Sequence, residues 1–123
     1  AVALRADGIH LPERMVDRAG DIRLWRRRFL VTAAAHNLPA AIRARRARVD
    51  ALVISSVFSS RSPSVRKPMG VLAFTAMVRC ARVPAYALGG VNTSNAARLG
   101  GSGAVGLAGV DAFHRPPAGT TRT

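Results

Sequence analysis

The chain has 123 residues, enough for one domain or part of one, and 49% of them are hydrophobic, enough to build a core. No apolar run approaches the ~20 residues of a membrane-spanning helix, and a single cysteine, Cys80, excludes an internal disulfide and a cysteine-based zinc site. The formal net charge is +13 with Lys67 as the only lysine, so the basicity is carried by arginine.

Such a surface attracts phosphates, nucleic acid or acidic partners, or is the solvated helix face of an arginine-rich protein. Aromatic residues make up 5% of the chain and do not interleave with the arginines. That argues against nucleic acid as a partner, because single-strand binding sets stacking platforms beside the charge. The lone cysteine fits a reducing, cytoplasmic location. Cys80 lies late in a helical pattern among apolar neighbours, which suits a small buried residue. The start, Ala1-Val2-Ala3-Leu4, has no initiator methionine and no signal-peptide layout. It reads as the end of a helix, and the chain as a fragment.

Taken in order, residues 6–11 (Ala-Asp-Gly-Ile-His-Leu) are short, apolar and bounded by turn residues, and predict a strand. Pro12 suits a first helical turn and Glu13 complements its N-terminus. Met15, Val16, Ala19 and Ile22 recur at helical spacing up to Arg26-Arg27-Arg28, with Gly20 weakening the middle. A second strand is predicted over residues 29–34. Asn37 then caps a helix with Pro39 in its first turn; Leu38, Ala41, Ile42 and Val49 form its apolar stripe, and arginines cover the rest.

Residues 51–58 predict a third strand, apolar enough to be buried on both faces of a parallel sheet. The polar loop at 59–68 carries hydroxyls, three cationic groups and two prolines. It reads either as a ligand loop at a strand's C-terminal end or as low-complexity sequence. Gly70 opens a helix with Val71, Phe74, Thr75 and Val78 on one face.

Residues 84–92 (Pro-Ala-Tyr-Ala-Leu-Gly-Gly-Val-Asn) organise the rest. A buried strand ends in Gly89 and Gly90, and a polar cluster opens a short helix over 92–99. Two glycines let backbone N–H groups approach a ligand, and a helix start just beyond adds a field that favours an anion. The pattern is a phosphate cradle or an ordinary strand-to-helix turn. Residues 104–110 predict a fifth strand, 111–113 a last helical turn, and 114–123 a flexible tail.

Strands alternating with helices through short connections predict an α/β fold: a parallel sheet with right-handed crossovers and ligands beyond the C-terminal strand ends. His36, Ser60, Ser62, Gly89, Gly90 and Asp111 fall on or near that rim.

Five motifs in the right order then resemble the thiamine phosphate synthases and the related, TenI-like thiazole tautomerases. Asp7-Gly8-Ile9-His10-Leu11 resembles their DGVHL strand, and Ala34-Ala35-His36-Asn37 their S-x-H-S turn. Val57-Phe58-Ser59-Ser60-Arg61-Ser62 is similar to F-x-T-x-T/S, and Ala87-Leu88-Gly89-Gly90-Val91 to A-I-G-G-I. Residues 106–112 are similar to the family's last strand, G-V-A-V-V-S-A.

The resemblance implies an incomplete (β/α)8 TIM barrel over residues 1–113, its fourth to eighth strands with outer helices. It implies a transferase of thiamine biosynthesis that joins an aminopyrimidine diphosphate to thiazole phosphate, releasing diphosphate with Mg2+. Thiazole phosphate would bind at Gly89, Gly90, Val110 and Asp111. Ser60, Arg61 and Ser62 would face the thiazole and diphosphate groups, and Ala34 and His36 the pyrimidine side. The open barrel side would expose Ile9, Val31 and Ile54 unless missing strands or a second copy covered them.

The departures from the family pattern bear on chemistry. Met15 stands where the family's G-Q-x-D turn has a metal-binding Asp, with Glu13 a shifted substitute. Ala34 replaces a turn serine, Pro63 a lysine and Asp111 the phosphate-site serine, whose exchange sets a carboxylate near the phosphate. No complete set of metal ligands is found, and this chain alone is expected not to couple the two substrates. Ser56 occupies the position of the tautomerases' histidine, which counts against tautomerase chemistry. Alternatives are a non-coupling thiazole-phosphate binder and a basic nucleic-acid module.

Overall fold

The computed structural model describes residues 5–61 and 67–109. Ser62, Val110 and Asp111, the expected last helical turn and the expected tail lie outside the described residues. Five strands form one sheet: β1 (Gly8–Leu11), β2 (Leu30–Ala35), β3 (Ala51–Ile54), β4 (Ala85–Ala87) and β5 (Gly106–Leu107). They pair in sequential order, all parallel, as an arc of a barrel requires. Three α-helices connect them: α1 (Ala19–Trp25), α2 (Leu38–Arg46) and α3 (Gly70–Ala81). Among the described residues no helix is long and apolar enough to cross a membrane.

Local chemistry sets these elements. The Asn37 side chain accepts the Ala40 N–H at 2.9 Å and Pro39 sits in the first turn of α2, which satisfies one of the helix's orphan donors. Ala40, Ala41 and Ala44 then let α2 lie close on the sheet, while Arg43, Arg45 and Arg46 crowd its negative end. The segment after Pro12 differs from the single helix that the spacing predicts. It runs as a 3-10 helix over Glu13–Arg18 and becomes α-helical only at Ala19. Its buried contacts, Val16 and Ala19, lie three residues apart, which suits the tighter three-residue turn.

The core lies between sheet and helices. Leu11, Val31, Leu52, Ile54 and Ala87 from the strands meet Val16, Phe74, Met77 and Val78 from the helices. Each fully buried large side chain among them contributes about 1.5–3 kcal/mol. Register assigns the opposite face. Ala34, Val53, Tyr86 and Gly106 are partners across four strands and so share a side. Gly106 makes room for the Tyr86 ring: a Cβ there would sit 2.6 Å from the ring. His10 and Thr32 form a second row, joined at 2.9 Å. Among the described residues this inner face holds no arginine or lysine, and Leu30 and Tyr86 on it are 55% and 40% exposed.

Three expectations are corrected. Val31 and Ile54 do not lie on the open side; both are fully buried under the helices, and only Ile9 is partly exposed. A strand hides its bulkiest apolar set against the helix layer, so the inner parity is left to His10, Thr32, Ala34 and Tyr86. Cys80 is exposed, because α3 buries Phe74, Met77, Val78 and Ala81 and the cysteine lies outside that arc. The helix expected over 92–99 shrinks to a 3-10 turn, Ala96–Leu99. Asn92 diverts the chain before it: its side-chain oxygen accepts from the Ser94 N–H at 2.9 Å, the Ser94 hydroxyl at 2.6 Å and the Asn95 N–H at 3.2 Å. A local side-chain turn of this kind competes with helix formation.

Candidate functional site

The C-terminal ends of β3 and β4 build the rim of the sheet. The ladder continues past both strands: Leu88 N–H donates to Ile54 C=O at 2.9 Å, Val57 N–H to Leu88 C=O at 3.1 Å and Phe58 N–H to Gly89 C=O at 3.0 Å. These bonds draw the chain at 56–59 over the two glycines. Gly89 has φ +94° and Gly90 φ +63°. A Cβ on Gly89 would lie 2.4 Å from the Ser56 hydroxyl, and one on Gly90 would lie 2.2 Å from the Ser59 carbonyl oxygen. The pair is therefore glycine because backbone crosses backbone here, in a left-handed conformation that side chains disfavour.

The peptide groups of this turn are unevenly engaged. Gly90 C=O accepts the Asn95 side-chain amide at 2.8 Å. The N–H groups of Gly89, Gly90 and Val91 donate to no acceptor among the described residues. A turn with successive positive φ and unengaged amides makes an anion-binding concavity. The expected helix N-terminal field is absent from it, since the 3-10 turn begins only at Ala96. Arg98 sets its guanidinium carbon 5.1 Å from the centre of the ring of Phe58, a residue of the segment that crosses the two glycines. Sequence reading missed Arg98, because nothing local marks a residue that reaches the rim across the turn.

Ser60 and Arg61 follow on this rim, both exposed. Ser56 donates its hydroxyl to the Phe58 carbonyl at 3.1 Å. Ala34 lies on the inner face beside Val53 and offers no polar atom.

His36 belongs to a separate cluster at the ends of β1 and β2. One Glu13 carboxylate oxygen, Oε2, accepts the His36 backbone N–H at 2.9 Å and lies 2.6 Å from His36 Nδ1. The other oxygen is 3.4 Å from the Asn37 side-chain nitrogen. Both side chains are 23% exposed. His36 is thus a satisfied histidine that ties β1's exit turn to the start of α2.

These residues do not fit a magnesium site. Magnesium takes carboxylates in an octahedral shell. No group of three or more His, Cys, Asp or Glu side chains converges among the described residues. Met15 carries no ligand atom for a hard cation, and the Glu13 carboxylate is turned to His36 and Asn37.

The family profile described as thiamine monophosphate synthase matches residues 1–113. The chain is 31% identical over 113 residues to the putative thiamine-phosphate synthase 2 of Aquifex aeolicus, covering 92% of this chain and 60% of that protein. It is 34% identical over 113 residues to the thiamine-phosphate synthase of Chloroflexus aurantiacus, covering 91% and 52%. The chain spans about half to three-fifths of these relatives' length. The solved structure of thiamine phosphate pyrophosphorylase from Pyrococcus furiosus superposes with a TM-score of 0.72 over 89% of this chain and 52% of its own, at 24% identity, a likeness of fold. The sheet is accordingly an arc of that barrel, and the chain belongs to the thiamine monophosphate synthase family.

Proposed function

We propose that this chain forms the phosphate-binding side of a thiamine-phosphate synthase barrel and holds thiazole phosphate where β3 and β4 end. The observation that carries the reading is the Gly89-Gly90-Val91 turn: three amides with no acceptor among the described residues, on backbone clamped by residues 56–59, with Arg98 beside it. Preorganised donors of this kind bind a phosphate without reorganising. Ser60 and Arg61, with Ser62 beyond the described residues, would face the thiazole and the diphosphate. Val110 and Asp111 would complete the phosphate site, and Ala34 and His36 would border the pyrimidine.

Coupling to an aminopyrimidine diphosphate needs charge stabilisation on the departing diphosphate, which a metal ordinarily supplies. The residues at hand do not fit that metal, so we assign binding to this chain and coupling to a complete barrel. In that barrel the uncharged inner face around Leu30 and Tyr86 is covered by further strands or by a second copy.

The test is an amide NMR titration of the 123-residue chain. Thiazole phosphate should shift the Gly89, Gly90 and Val91 amides saturably, the unphosphorylated thiazole alcohol should not, and Arg98→Ala should weaken the effect. Equal shifts with the alcohol, or none with the phosphate, would overturn the assignment.

A further inference from the structure

Two grooves lie outside the rim: one where the start of α1 meets the end of α2, the other just after the end of α1. One, of about 470 Å³, sets Arg43, Arg46 and Arg48 against Asp17 across Gly20. The other, of about 440 Å³, sets Arg26, Arg27 and Arg28 against Asp7. Each therefore holds three arginines to one aspartate. The last turn of α1 joins them. Arg23 donates to the Arg48 carbonyl at 2.8 Å and pairs with Asp50 at 2.8 Å, which pins that turn beside the first groove. Leu24 stands four residues after Gly20, on the same helix side. Trp25 leads into Arg26.

Trp25 is the chain's single tryptophan and is 88% exposed; Leu24 beside it is 85% exposed. An indole left in water at the end of α1, directly before Arg26-Arg27-Arg28, is a stacking platform beside charge of the kind that overall aromatic content does not reveal.

We propose that this surface binds single-stranded nucleic acid, its phosphates following the two grooves and one base stacking on Trp25. Guanidinium groups suit phosphates because their planar forks donate two parallel hydrogen bonds. Stacking on an aromatic face is tolerant of base identity, so the surface reads the backbone rather than a sequence. An anionic membrane fits less well. Two exposed apolar side chains, Leu24 and Trp25, at the end of the seven-residue α1 offer little apolar area to bury in a bilayer interface.

Trp25 also reports on its own contact. An oligothymidylate of about a dozen nucleotides, within the usual site size, should quench its fluorescence saturably. Heparin, a polyanion without bases, should compete for the arginines without comparable quenching. With about six arginines engaged and a single-strand slope near −0.7 per phosphate, affinity should fall a few-hundredfold between about 50 and about 200 mM salt. Measured by anisotropy of the labelled oligonucleotide, Trp25→Ala should weaken binding about tenfold and Trp25→Phe should restore most of it. Replacing Arg26, Arg27 and Arg28 together with alanine should flatten the salt dependence by about 2 in slope. Equal quenching by heparin, full affinity in Trp25→Ala, or a blue-shifted Trp25 emission with phosphatidylserine vesicles and no response to oligonucleotide would each overturn the proposal.

Discussion

Gly90→Ala separates a glycine kept for packing from one kept for ligand approach. The added Cβ would lie 2.2 Å from the Ser59 carbonyl oxygen and 2.8 Å from both the carbonyl carbon and the oxygen of Phe58. All three are backbone atoms, so no side-chain rotation relieves the overlap. The segment at 58–59 must retreat by about 1 Å to restore van der Waals distance. That retreat strains the bonds from Phe58 N–H to Gly89 C=O and from Val57 N–H to Leu88 C=O, each worth about 1 kcal/mol. Holding alanine at φ +63° adds about 1 kcal/mol. The sum is about 3 kcal/mol in the absence of any ligand. Urea denaturation followed by far-UV circular dichroism should show it as a midpoint lowered by about 1–3 M at ordinary slopes. Far-UV signal is preferable to Trp25 emission, since that indole is exposed in the fold. A ligand-free stability within about 0.5 kcal/mol of the parent chain would refute the packing account. The glycine would then be reserved for the phosphate alone.

Gly20→Ala, where a new Cβ meets nothing within 4 Å inside α1, should raise stability by about 0.5–1 kcal/mol in the same urea assay. Asp50 is partly buried, which pushes its carboxyl up, but the Val31 N–H at 2.7 Å and the Arg23 guanidinium outweigh burial and hold its pKa below the usual carboxylate value. A lowered carboxylate pKa stabilises the fold at neutral pH and ceases to do so as pH falls through the folded value. Asp50→Asn should therefore cost about 1 kcal/mol at neutral pH, modest because the side chain is 36% exposed. Stability measured against pH should show the two proteins converging in acid. Exposed Cys80 should react fully with a thiol reagent in the folded chain; protection until denaturant is added would contradict its placement.

Periodicity and local turn chemistry carried most of the fold. The strand–helix alternation that predicts a parallel sheet is found in sequential order, and the Asn37 cap and Pro39 place the start of α2 to the residue. Facts that depend on contact across the sequence were not legible. Alternation shows that residues 30–35 have two faces, but only the packed helices decide that Val31, not Leu30, is inside. Cys80 misled because α3 is apolar nearly all round, Leu72 being 89% exposed, so hydrophobic neighbours did not mark the buried arc. Gly89-Gly90 stood out as a pair, yet the chain segment that crosses them lies some thirty residues earlier and leaves no local trace. The Glu13–His36 contact spans 23 residues, and its sequence sign was limited to two family motifs each altered beside the other.

That contact bears on what the rim can do. In a 3-10 segment of about three residues per turn, positions two apart point about 120° away from each other. Glu13 and Met15 therefore project from different sides of Glu13–Arg18, and a carboxylate at one does not replace a carboxylate at the other. Glu13 is further committed: one oxygen serves two His36 nitrogens and the other reaches Asn37, the residue that caps α2. Withdrawing it to meet a cation would leave a partly buried imidazole and a backbone N–H without their acceptor, at a cost of about 1–3 kcal/mol. Glu13 thus serves as a structural clasp between the exit of β1 and the start of α2. What remains along the rim is a set of backbone donors held by the ladder, the Gly89, Gly90 and Val91 amides, with the exposed Arg98 and Arg61 following. Fixed donors bind a phosphate that already carries its full charge. Stabilising charge as it develops on a leaving diphosphate asks for a group poised at the breaking bond. On the function proposed above, binding and coupling would reside in different parts of the barrel, with the described residues serving the first.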